Sequence, residues 1–453
     1  MGLRDRLQRV QQAGVATVVS GAASAPAPAV NVEIFQELKG QMHQRLIDKL
    51  DLRTIDKLSR DQLRDELRQI LGSVLLGTEL PLNRTERELM VEELLDEVTG
   101  LGPLEPLLRD QSIADILVNT YSTVYVERFG KLELTNVRFR DNEHLAQIIN
   151  RIVARVGRRV DESSPMADAR LADGSRVNAI IPPLAIDGPI LSIRRFGGAP
   201  LRFKDMLRIG SITPEMVGFL GACVQARLNT VISGGTGTGK TTMLNAMSSF
   251  IPDGERIVTV EDAAELQMQQ RHVVRLETRP ANIEGRGEVL SRDLVKNALR
   301  MRPDRIVIGE CRGGEVLDML QAMNTGHDGS MTTVHANTPR DALSRIESMV
   351  GMGNVNLSEA LTRQTISRAI NIIVQLSRGT DGKRRISSVS EVTGMEGSVI
   401  TVQEIFKFDQ RGVDKDGRIL GEYKETGIRA KAMEKIERAG ISPAEIVRPL
   451  LAG

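Results

Sequence analysis

The stretch NTVISGGTGTGKTTMLNAM, residues 229–247, decides the fold of this chain. A short apolar run containing Val231 leads into a glycine-rich turn and then into the start of a helix. Gly234, Gly239, Lys240 and Thr241 fit the pattern G-x-x-x-x-G-K-[ST], which is typical of a phosphate-binding P-loop. That motif requires a buried strand before it and a helix after it, and the sequence offers both. We therefore predict an α/β domain that binds a nucleotide at this loop.

The residue types in the loop suit a nucleoside triphosphate with its metal ion. Glycines let the backbone turn tightly and aim its N–H groups at phosphate oxygens, and the helix start adds the positive end of its dipole. We expect Lys240 to reach the β- and γ-phosphates and the Thr241 hydroxyl to coordinate Mg²⁺. ATP and Mg²⁺ are thus the expected cofactors. The expected binding residues are Gly234, Gly235, Thr236, Gly237, Thr238, Gly239, Lys240, Thr241 and Thr242, the last chiefly as support for the helix.

Composition limits the possible classes of protein. The chain has 453 residues, of which 41% are hydrophobic and 26% charged, as in ordinary folded proteins of two to four domains. Its 60 basic and 59 acidic residues leave a net charge of +1, so no overall field favours nucleic acid or an anionic membrane. Cys223 and Cys311 lie in apolar runs without metal-ligand spacing, which predicts buried free thiols. No apolar run is long enough for a membrane span.

The first hundred residues predict no catalytic chemistry. Residues 1–31 become rich in Gly, Ala, Ser and Pro, which predicts a disordered tail and linker, with a short docking helix as the alternative. A signal peptide is a poorer interpretation because Asp5 interrupts a basic start. Residues 32–100 are predicted to form a three-helix module, with apolar positions from Ile34 to Ile47 and capping-box-like helix starts at Ser59 and Asn83.

Residues 101–205 predict an α+β, PAS-like domain. Alternating runs at Ile113–Asn119, Ser122–Arg128 and Lys131–Phe139 indicate strands, and Glu143–Val156 indicates a helix. Later strands carry arginines that lead toward the P-loop domain and could contact phosphate, although generic surface arginines are an equal alternative: Arg170, Arg176, Arg194 and Arg195. Residues 206–453 are predicted to form the ATPase domain, in which Thr213-Pro214 starts the first long helix.

Two further apolar strands deliver carboxylates to the expected site. The run Arg256–Val260 ends at Glu261, and the run Asp304–Ile308 ends at Gly309-Glu310, which has the form of a Walker B element. The carboxyl ends of strands are where α/β sheets place their ligands. Either carboxylate could orient the attacking water, and these patterns leave the two roles open.

Two of the five histidines flank a strand-like run in residues 326–337. The run Ser330–Val334 separates His327 from His335. Their spacing of eight fits no usual zinc pattern, and no cysteine accompanies them. We expect hydrogen bonding that senses the γ-phosphate, with structural histidines as the alternative.

Together, these four stretches resemble the signature of the secretion ATPases that power type II secretion, type IV pili and type IV secretion. After the Walker A loop, VEDAAELQ resembles the Asp box, DRIVIGECRGGE the Walker B element and TGHDGSMTTVHANTP the His box. The fuller segments RLETRPANIEGRGEV and RDLVKNALRMRPDRIVIGE resemble the Tad/Flp pilus assembly ATPases of the CpaF type. The resemblance extends from about Leu101 to Ser377.

This resemblance implies a fold and a set of roles. The fold is a RecA-like P-loop motor domain with a preceding α+β domain and an amino-terminal three-helix module. Lys240 is assigned to phosphate, Glu261 to water activation, and Thr241 with Glu310 to the Mg²⁺ shell. The remaining residues implied near the nucleotide are Arg170, Arg176, Arg194, Arg195, Arg279, Arg286, His327 and His335. Cys311 departs from the aliphatic residue expected after Glu310, but its size suits a buried strand end.

The resemblance also implies partners. Similar proteins form homohexamers in the cytoplasm, peripheral to the inner membrane, where they grip membrane platform proteins of the pilus. ATP turnover there changes the angle between the amino-terminal and motor domains, and assembly, with retraction as a further possibility, is the output. Near the carboxyl end, Ile428–Ala439 is predicted to form an amphipathic helix stopped by Gly440, and Ser442-Pro443 to start a last short helix.

Three other functions use the same motifs. A type IV secretion ATPase would move protein or DNA cargo with the same residues. A RecA-like nucleic-acid motor would also need a P-loop, but near-zero net charge and the absence of Trp count against a nucleic-acid partner. A nucleotide-gated assembly protein would bind ATP and scarcely hydrolyse it, although the presence of both Glu261 and Glu310 favours turnover.

Overall fold

The computed structural model describes residues 62, 65, 68–69, 84–128, 130–195, 201–281, 286–353 and 357–451. The expected tail, the apolar positions Ile34 to Ile47 and the helix starts at Ser59 and Asn83 lie outside these residues. The chain divides into two compact units, one formed by residues 1–110 and 137–151, the other by residues 111–136 and 152–453. The boundary expected at residue 100 therefore lies inside the first unit.

The described part of the first unit is helical. Its helix Arg84–Thr99 is followed by a 3₁₀ turn, Gly102–Leu104, and by the short helix Glu105–Arg109. The helix Asn142–Ala154 begins in this unit and is tied back to the first helix, because Arg151 Nη1 donates to the Glu97 carbonyl at 2.8 Å. The prediction of a helix near residues 143–156 is confirmed.

The second unit contains a six-stranded antiparallel sheet in the order β3-β2-β1-β6-β5-β4. The third strand ends at Leu134, earlier than expected, and Val137–Arg151 already belong to the first unit. Strands β5 and β6 place Arg176 directly opposite Arg194, so the two arginines are neighbours across the strand pair. The strands are β1 Ile113–Thr120, β2 Thr123–Arg128, β3 Lys131–Leu134, β4 Met166–Arg170, β5 Arg176–Ile180 and β6 Ile190–Arg194.

The same unit contains a nine-stranded sheet in the order β15-β14-β13-β12-β7-β11-β10-β8-β9. Pairing is parallel from β12 through β9 and antiparallel from β12 to β15. The P-loop strand β7 therefore lies inside the parallel part, where all five of its residues are buried. The strands are β7 Thr230–Gly234, β8 Ile257–Glu261, β9 Val273–Glu277, β10 Arg305–Ile308, β11 Met331–Val334, β12 Ile372–Arg378, β13 Arg384–Glu396, β14 Val399–Val413 and β15 Ile419–Glu425.

Apolar clusters on both faces of this sheet form the core of a RecA-like domain. One cluster packs Ile232 with the helix before the P-loop, and the other packs Val231 with helices that follow β10 and β11. Adjacent residues of one buried strand thus pack on opposite faces of the sheet. The helices are Phe203–Arg208, Pro214–Gln225, Lys240–Ser248, Ser291–Ala298, Glu315–Asn324, Pro339–Gly351, Glu359–Ala369, Ala432–Arg438 and Pro443–Leu451.

The first long helix of this domain starts as predicted. Thr213 caps it by accepting from Met216 N at 3.4 Å, and Pro214 occupies its first turn. The shorter helix Phe203–Arg208 spans the boundary expected at residue 205, and its Phe203 belongs to the motor-domain core.

The carboxyl-terminal region differs from expectation in two ways. The helix expected from Ile428 begins only at Ala432, because the buried Glu391 carboxylate accepts the backbone N–H groups of Lys431, at 2.7 Å, and of Ala432. The long antiparallel strands β13–β15 were not anticipated. The last helix does begin at Pro443, as predicted. Across the described ranges, no helix is long and apolar enough to cross a membrane.

Candidate nucleotide-binding site

The loop between β7 and the helix Lys240–Ser248 has the backbone that a P-loop needs. Gly237 and Gly239 adopt φ angles of +70° and +96°, which a residue with a side chain rarely adopts. A Cβ on Gly234 would lie 2.5 Å from Thr238 Oγ1 and 3.0 Å from the Leu376 carbonyl oxygen. Glycine is therefore required at these positions by conformation and by space.

Lys240 places its ammonium group inside the loop. Its Nζ donates to the carbonyls of Gly234 at 3.0 Å and Gly235 at 3.1 Å. Burial lowers the pKa of Lys240, and the nearby Glu310 carboxylate opposes part of that shift. The loop thus holds a half-buried cation at the start of a helix, where anions bind.

A cavity of about 490 Å³ opens over this loop. Eleven of the residues expected to bind or act on the nucleotide line it, namely Arg176, Arg194, Arg195, Thr236, Gly237, Gly239, Lys240, Thr241, Thr242, Glu310 and His335. It is also lined by Gly174, Leu201, Asn245, Glu265, Gln267, Arg312, Thr333 and Arg384. A cavity with this many cations around a P-loop can accept a polyphosphate.

Glu310 reaches the cavity from the end of β10. Its Oε2 accepts from Arg312 Nε at 3.0 Å and Nη2 at 2.7 Å, and its Oε1 lies 3.9 Å from His335 Nδ1. His335 in turn lies 3.4 Å from the Thr236 hydroxyl. Burial, and then the Lys240 charge, lower the pKa of His335, which favours the neutral imidazole.

Glu261 lies behind the cavity wall rather than on it. Only 4% of the residue is exposed, and its Oε2 accepts from the backbone N–H groups of Glu265 at 2.7 Å and Leu266 at 2.8 Å. Its Oε1 is buried and has no hydrogen-bond partner in the described part of the chain. Burial raises the pKa of this carboxyl group, and the two backbone N–H donors partly offset that effect.

Two expected residues, Arg279 and Arg286, do not line this cavity. Arg279 Nε donates to the Gly287 carbonyl at 2.7 Å, and its backbone pairs with Val289. Both arginines follow β9, the edge strand of the sheet. Their assignment to the nucleotide stays a prediction.

His327 is a further expected residue that does not line this cavity. It precedes β11, whereas His335 follows it, and a strand of four residues separates its two ends by about 13 Å. The Ser330 hydroxyl donates to the His327 carbonyl at 2.8 Å, and the following turn is bound by Asn229 before β7. His327 therefore lies at the amino edge of the parallel strands, while the nucleotide loop lies at the carboxyl edge.

Arg312 and Arg384 line the cavity but were not anticipated from the sequence. Arg312 follows Glu310 by two residues, so its position just past a strand end was a usable signal. Arg384 begins β13, and its Cδ lies 3.7 Å from where a Cβ on Gly239 would be. Only the pairing of β12 with β7 brings that hairpin over the P-loop, and no local pattern predicts such a pairing.

The arginines of the six-stranded sheet contact the loop that follows β8. Arg176 Nη1 pairs with Glu265 Oε1 at 2.7 Å. Arg170 pairs with Glu277 at 2.6 Å and donates to the Ala264 carbonyl at 2.7 Å. Arg170 does not line the nucleotide cavity, whereas Arg176, Arg194 and Arg195 do.

Comparison with known proteins places these features in a family. Residues 97–417 match the family described as "Type II/IV secretion system protein", and residues 35–99 match "Type II secretion system protein E, N-terminal domain". A Mycobacterium tuberculosis protein, whose name assigns it provisionally to conjugal transfer, is 38% identical over 345 residues, covering 75% of this chain and 97% of that protein.

Two further relatives have related names. The conjugal transfer protein TrbB of Rhizobium radiobacter is 32% identical over 295 residues, covering 64% of this chain and 86% of that protein. The crystal structure of the VirB11 ATPase from the Brucella suis type IV secretion system is 28% identical, covers 64% of this chain and 95% of that chain, and superposes with a TM-score of 0.35.

Proposed function

We propose, given that this chain belongs to the type II/IV secretion system protein family, that it is an ATP-hydrolysing motor of a secretion or pilus machine. One observation carries the proposal: Lys240, Thr241 and Glu310 line the same cavity, and arginines line it with them. A P-loop lysine, a hydroxyl and a strand-end carboxylate are the groups that phosphoryl transfer requires.

The residues present fit ATP and Mg²⁺. Thr241 and Glu310 would hold the metal ion, which, when bound, neutralises charge on the phosphates. Backbone N–H groups of the loop and the Lys240 ammonium would bind the phosphates. The fit rests on the loop itself, since Gly234 leaves no room for a Cβ and Lys240 is already directed into the loop by two carbonyls.

Glu261 is the residue we assign to water activation. Its buried Oε1 has no hydrogen-bond partner in the described part of the chain, so no other described group competes for that oxygen. Its other oxygen is fixed by two backbone N–H groups, which hold the carboxylate in one orientation. A carboxylate whose pKa is raised by burial is a better general base than an exposed one.

For the machine that this motor drives, we propose assembly of a Tad/Flp pilus. The support is the sequence of residues 275–289 and 292–310, which resembles that of the pilus ATPases. The proposed working form is a homohexamer at the cytoplasmic face of the inner membrane, bound to platform proteins of the pilus. The net charge of +1 gives no support to a nucleic-acid partner.

A conjugation or type IV secretion ATPase is the second candidate. The names of the Mycobacterium tuberculosis and Rhizobium radiobacter relatives favour it, since both refer to conjugal transfer. The same catalytic residues serve both machines, so only the cargo separates them. Deletion of the gene in its native bacterium distinguishes the two, because loss of surface pili with intact DNA and protein transfer supports the pilus, and the reverse supports transfer.

The motor itself is tested by ATP turnover of the full-length protein, with its mass in solution recorded with and without nucleotide. We expect a hexamer that hydrolyses ATP, and a loss of more than about 100-fold in both Lys240→Ala and Glu261→Gln. Lys415→Ala, in an exposed turn between β14 and β15, is the matched control and should keep its rate. Binding without turnover would support the nucleotide-gated alternative, and absence of binding would overturn the proposal.

A further inference from the structure

Glu265 is an acidic residue in a cavity that otherwise suits an anion. Its side chain is one third exposed, and its Oε1 lies 2.7 Å from Arg176 Nη1. Both residues line the nucleotide cavity together with Lys240. The Glu265 carboxylate would repel a polyphosphate bound beside it. It is also already paired with the Arg176 guanidinium, to which a phosphate could otherwise bind.

The loop that carries Glu265 connects this ion pair to the buried carboxylate. The backbone N–H of Glu265 donates to Glu261 Oε2, so one residue holds Arg176 with its side chain and Glu261 with its main chain. Two residues further on, Gln267 N donates to Asn245 Oδ1 at 2.9 Å, on the helix that begins at Lys240. The loop is therefore fixed to the six-stranded sheet on one side and to the nucleotide site on the other.

We propose that Glu265 is a specificity-determining residue, an internal competitor that holds Arg176 until the third phosphate of a nucleoside triphosphate displaces it. This inference rests on the proposed function, because it concerns the same nucleotide site. A triphosphate must displace Glu265 to gain Arg176, whereas a diphosphate lacks the third phosphate and leaves the Arg176–Glu265 pair in place. The change of partner at Arg176 is then transmitted to Glu261 by the backbone N–H of Glu265, which donates to Glu261 Oε2.

The chain offers a matched control in a second arginine–carboxylate pair. Arg170 and Glu277 lie 2.6 Å apart, with side chains 32% and 38% exposed, against 41% and 33% for Arg176 and Glu265. Both arginines come from the six-stranded sheet, and both pairs contact the loop after β8. Neither Arg170 nor Glu277 lines the nucleotide cavity.

The test is calorimetric titration of the full-length protein with a non-hydrolysable ATP analogue and with ADP, each with Mg²⁺. Glu265→Gln keeps the main-chain donor and removes the charge, so we expect it to tighten binding of the ATP analogue by about five- to tenfold. The gain for ADP should be at most about twofold. Glu277→Gln should leave both affinities unchanged.

A double variant separates competition from simple repulsion. If Glu265 competes for Arg176, the gain from Glu265→Gln shrinks when Arg176→Gln is already present. An equal gain in both backgrounds, or equal effects of Glu265→Gln and Glu277→Gln, would overturn the proposal. Those results leave the proposed function standing as long as the wild type binds nucleotide and Lys240→Ala does not, whereas a wild type that binds no nucleotide removes both.

Discussion

Arg312 donates two hydrogen bonds to a single oxygen of Glu310, at 3.0 Å from Nε and 2.7 Å from Nη2. The same guanidinium lies 3.8 Å from Asp262, so it links the strand ends of β10 and β8. The Arg312 pKa is raised mainly by the hydrogen bond to Glu310, as expected of a stable ion pair. Arg312 thus orients the carboxylate that we assign to the Mg²⁺ shell.

We predict that Arg312→Ala lowers the ATP hydrolysis rate by about 10–100-fold, because an unfixed Glu310 spends less time in the binding orientation. Arg312→Lys should recover only part of the rate, since an ammonium cannot reproduce the two-nitrogen contact. The measurement is steady-state ATP turnover over a range of Mg²⁺ concentrations. Arg429→Ala, whose partner Glu437 lies outside the nucleotide cavity, serves as the control. A normal Mg²⁺ dependence in Arg312→Ala would contradict the assigned role.

We predict that Gly234→Ala weakens nucleotide binding by steric overlap alone. The new methyl group would overlap Thr238 Oγ1 at 2.5 Å and press on the Leu376 carbonyl at 3.0 Å. Relieving such overpacking costs about 1–3 kcal/mol, so the affinity for ATP and for ADP should fall by about tenfold or more as the loop shifts. Gly254→Ala is the matched control, since a Cβ there meets nothing within 4 Å. Equal affinities for the two variants, measured by titration with ADP, would contradict the close packing of this loop.

The pH dependence of turnover should reflect the burial of Glu261. Burial raises the pKa of this carboxyl group, and a general base must be deprotonated to act. Activity should therefore be lost as the pH falls through a value above the ordinary glutamate pKa of about 4.3. Single-turnover rates between acid and neutral pH check this, with circular dichroism at each pH showing that the protein remains folded. An acid limb at the ordinary glutamate value would argue against Glu261 as the base.

Much of the motor site could be predicted because its signals are local. The P-loop, the strand before it and the carboxylate of Glu310 follow from short motifs, and the structure brings Lys240 and Glu310 to one cavity. The predictions of strands near Val231 and at residues 304–308, and of a helix after Thr213-Pro214, are confirmed. Each depends on an apolar run or on a cap that a single segment contains.

The missed features depend on contacts between distant segments. Strand β14 shows no regular alternation of buried and exposed residues, and its pairing with β13 and β15 defines it. Arg384, at the start of β13, likewise reaches the P-loop through a pairing of distant segments, that of β12 with β7. The assignment of His327 to the nucleotide stays a prediction, and the structure separates His327 from His335 by the complete strand β11.

The last prediction concerns stability rather than catalysis. Arg305 is fully buried, and it pairs with Glu255 through Nε at 2.5 Å and Nη2 at 3.0 Å while Nη1 donates to the Val224 carbonyl at 2.7 Å. Among the described residues, Arg305→Met would leave the Glu255 carboxylate with the longer contact to Arg227 alone, at 3.4 Å. Because breaking a buried ion pair leaves one charge uncompensated, we expect a loss of about 3 kcal/mol in the free energy of unfolding.

Urea unfolding followed by circular dichroism measures this loss, since the chain contains no tryptophan for fluorescence. All variants are compared at one protein concentration, because subunit association would add to the apparent stability. Adding Glu255→Gln to Arg305→Met removes the uncompensated charge and should restore part of the loss. Arg429→Met breaks an exposed pair whose arginine is 73% accessible, and it should cost less than about 1 kcal/mol. If Arg305→Met proved as mild as Arg429→Met, the buried pair would contribute no more than a surface pair.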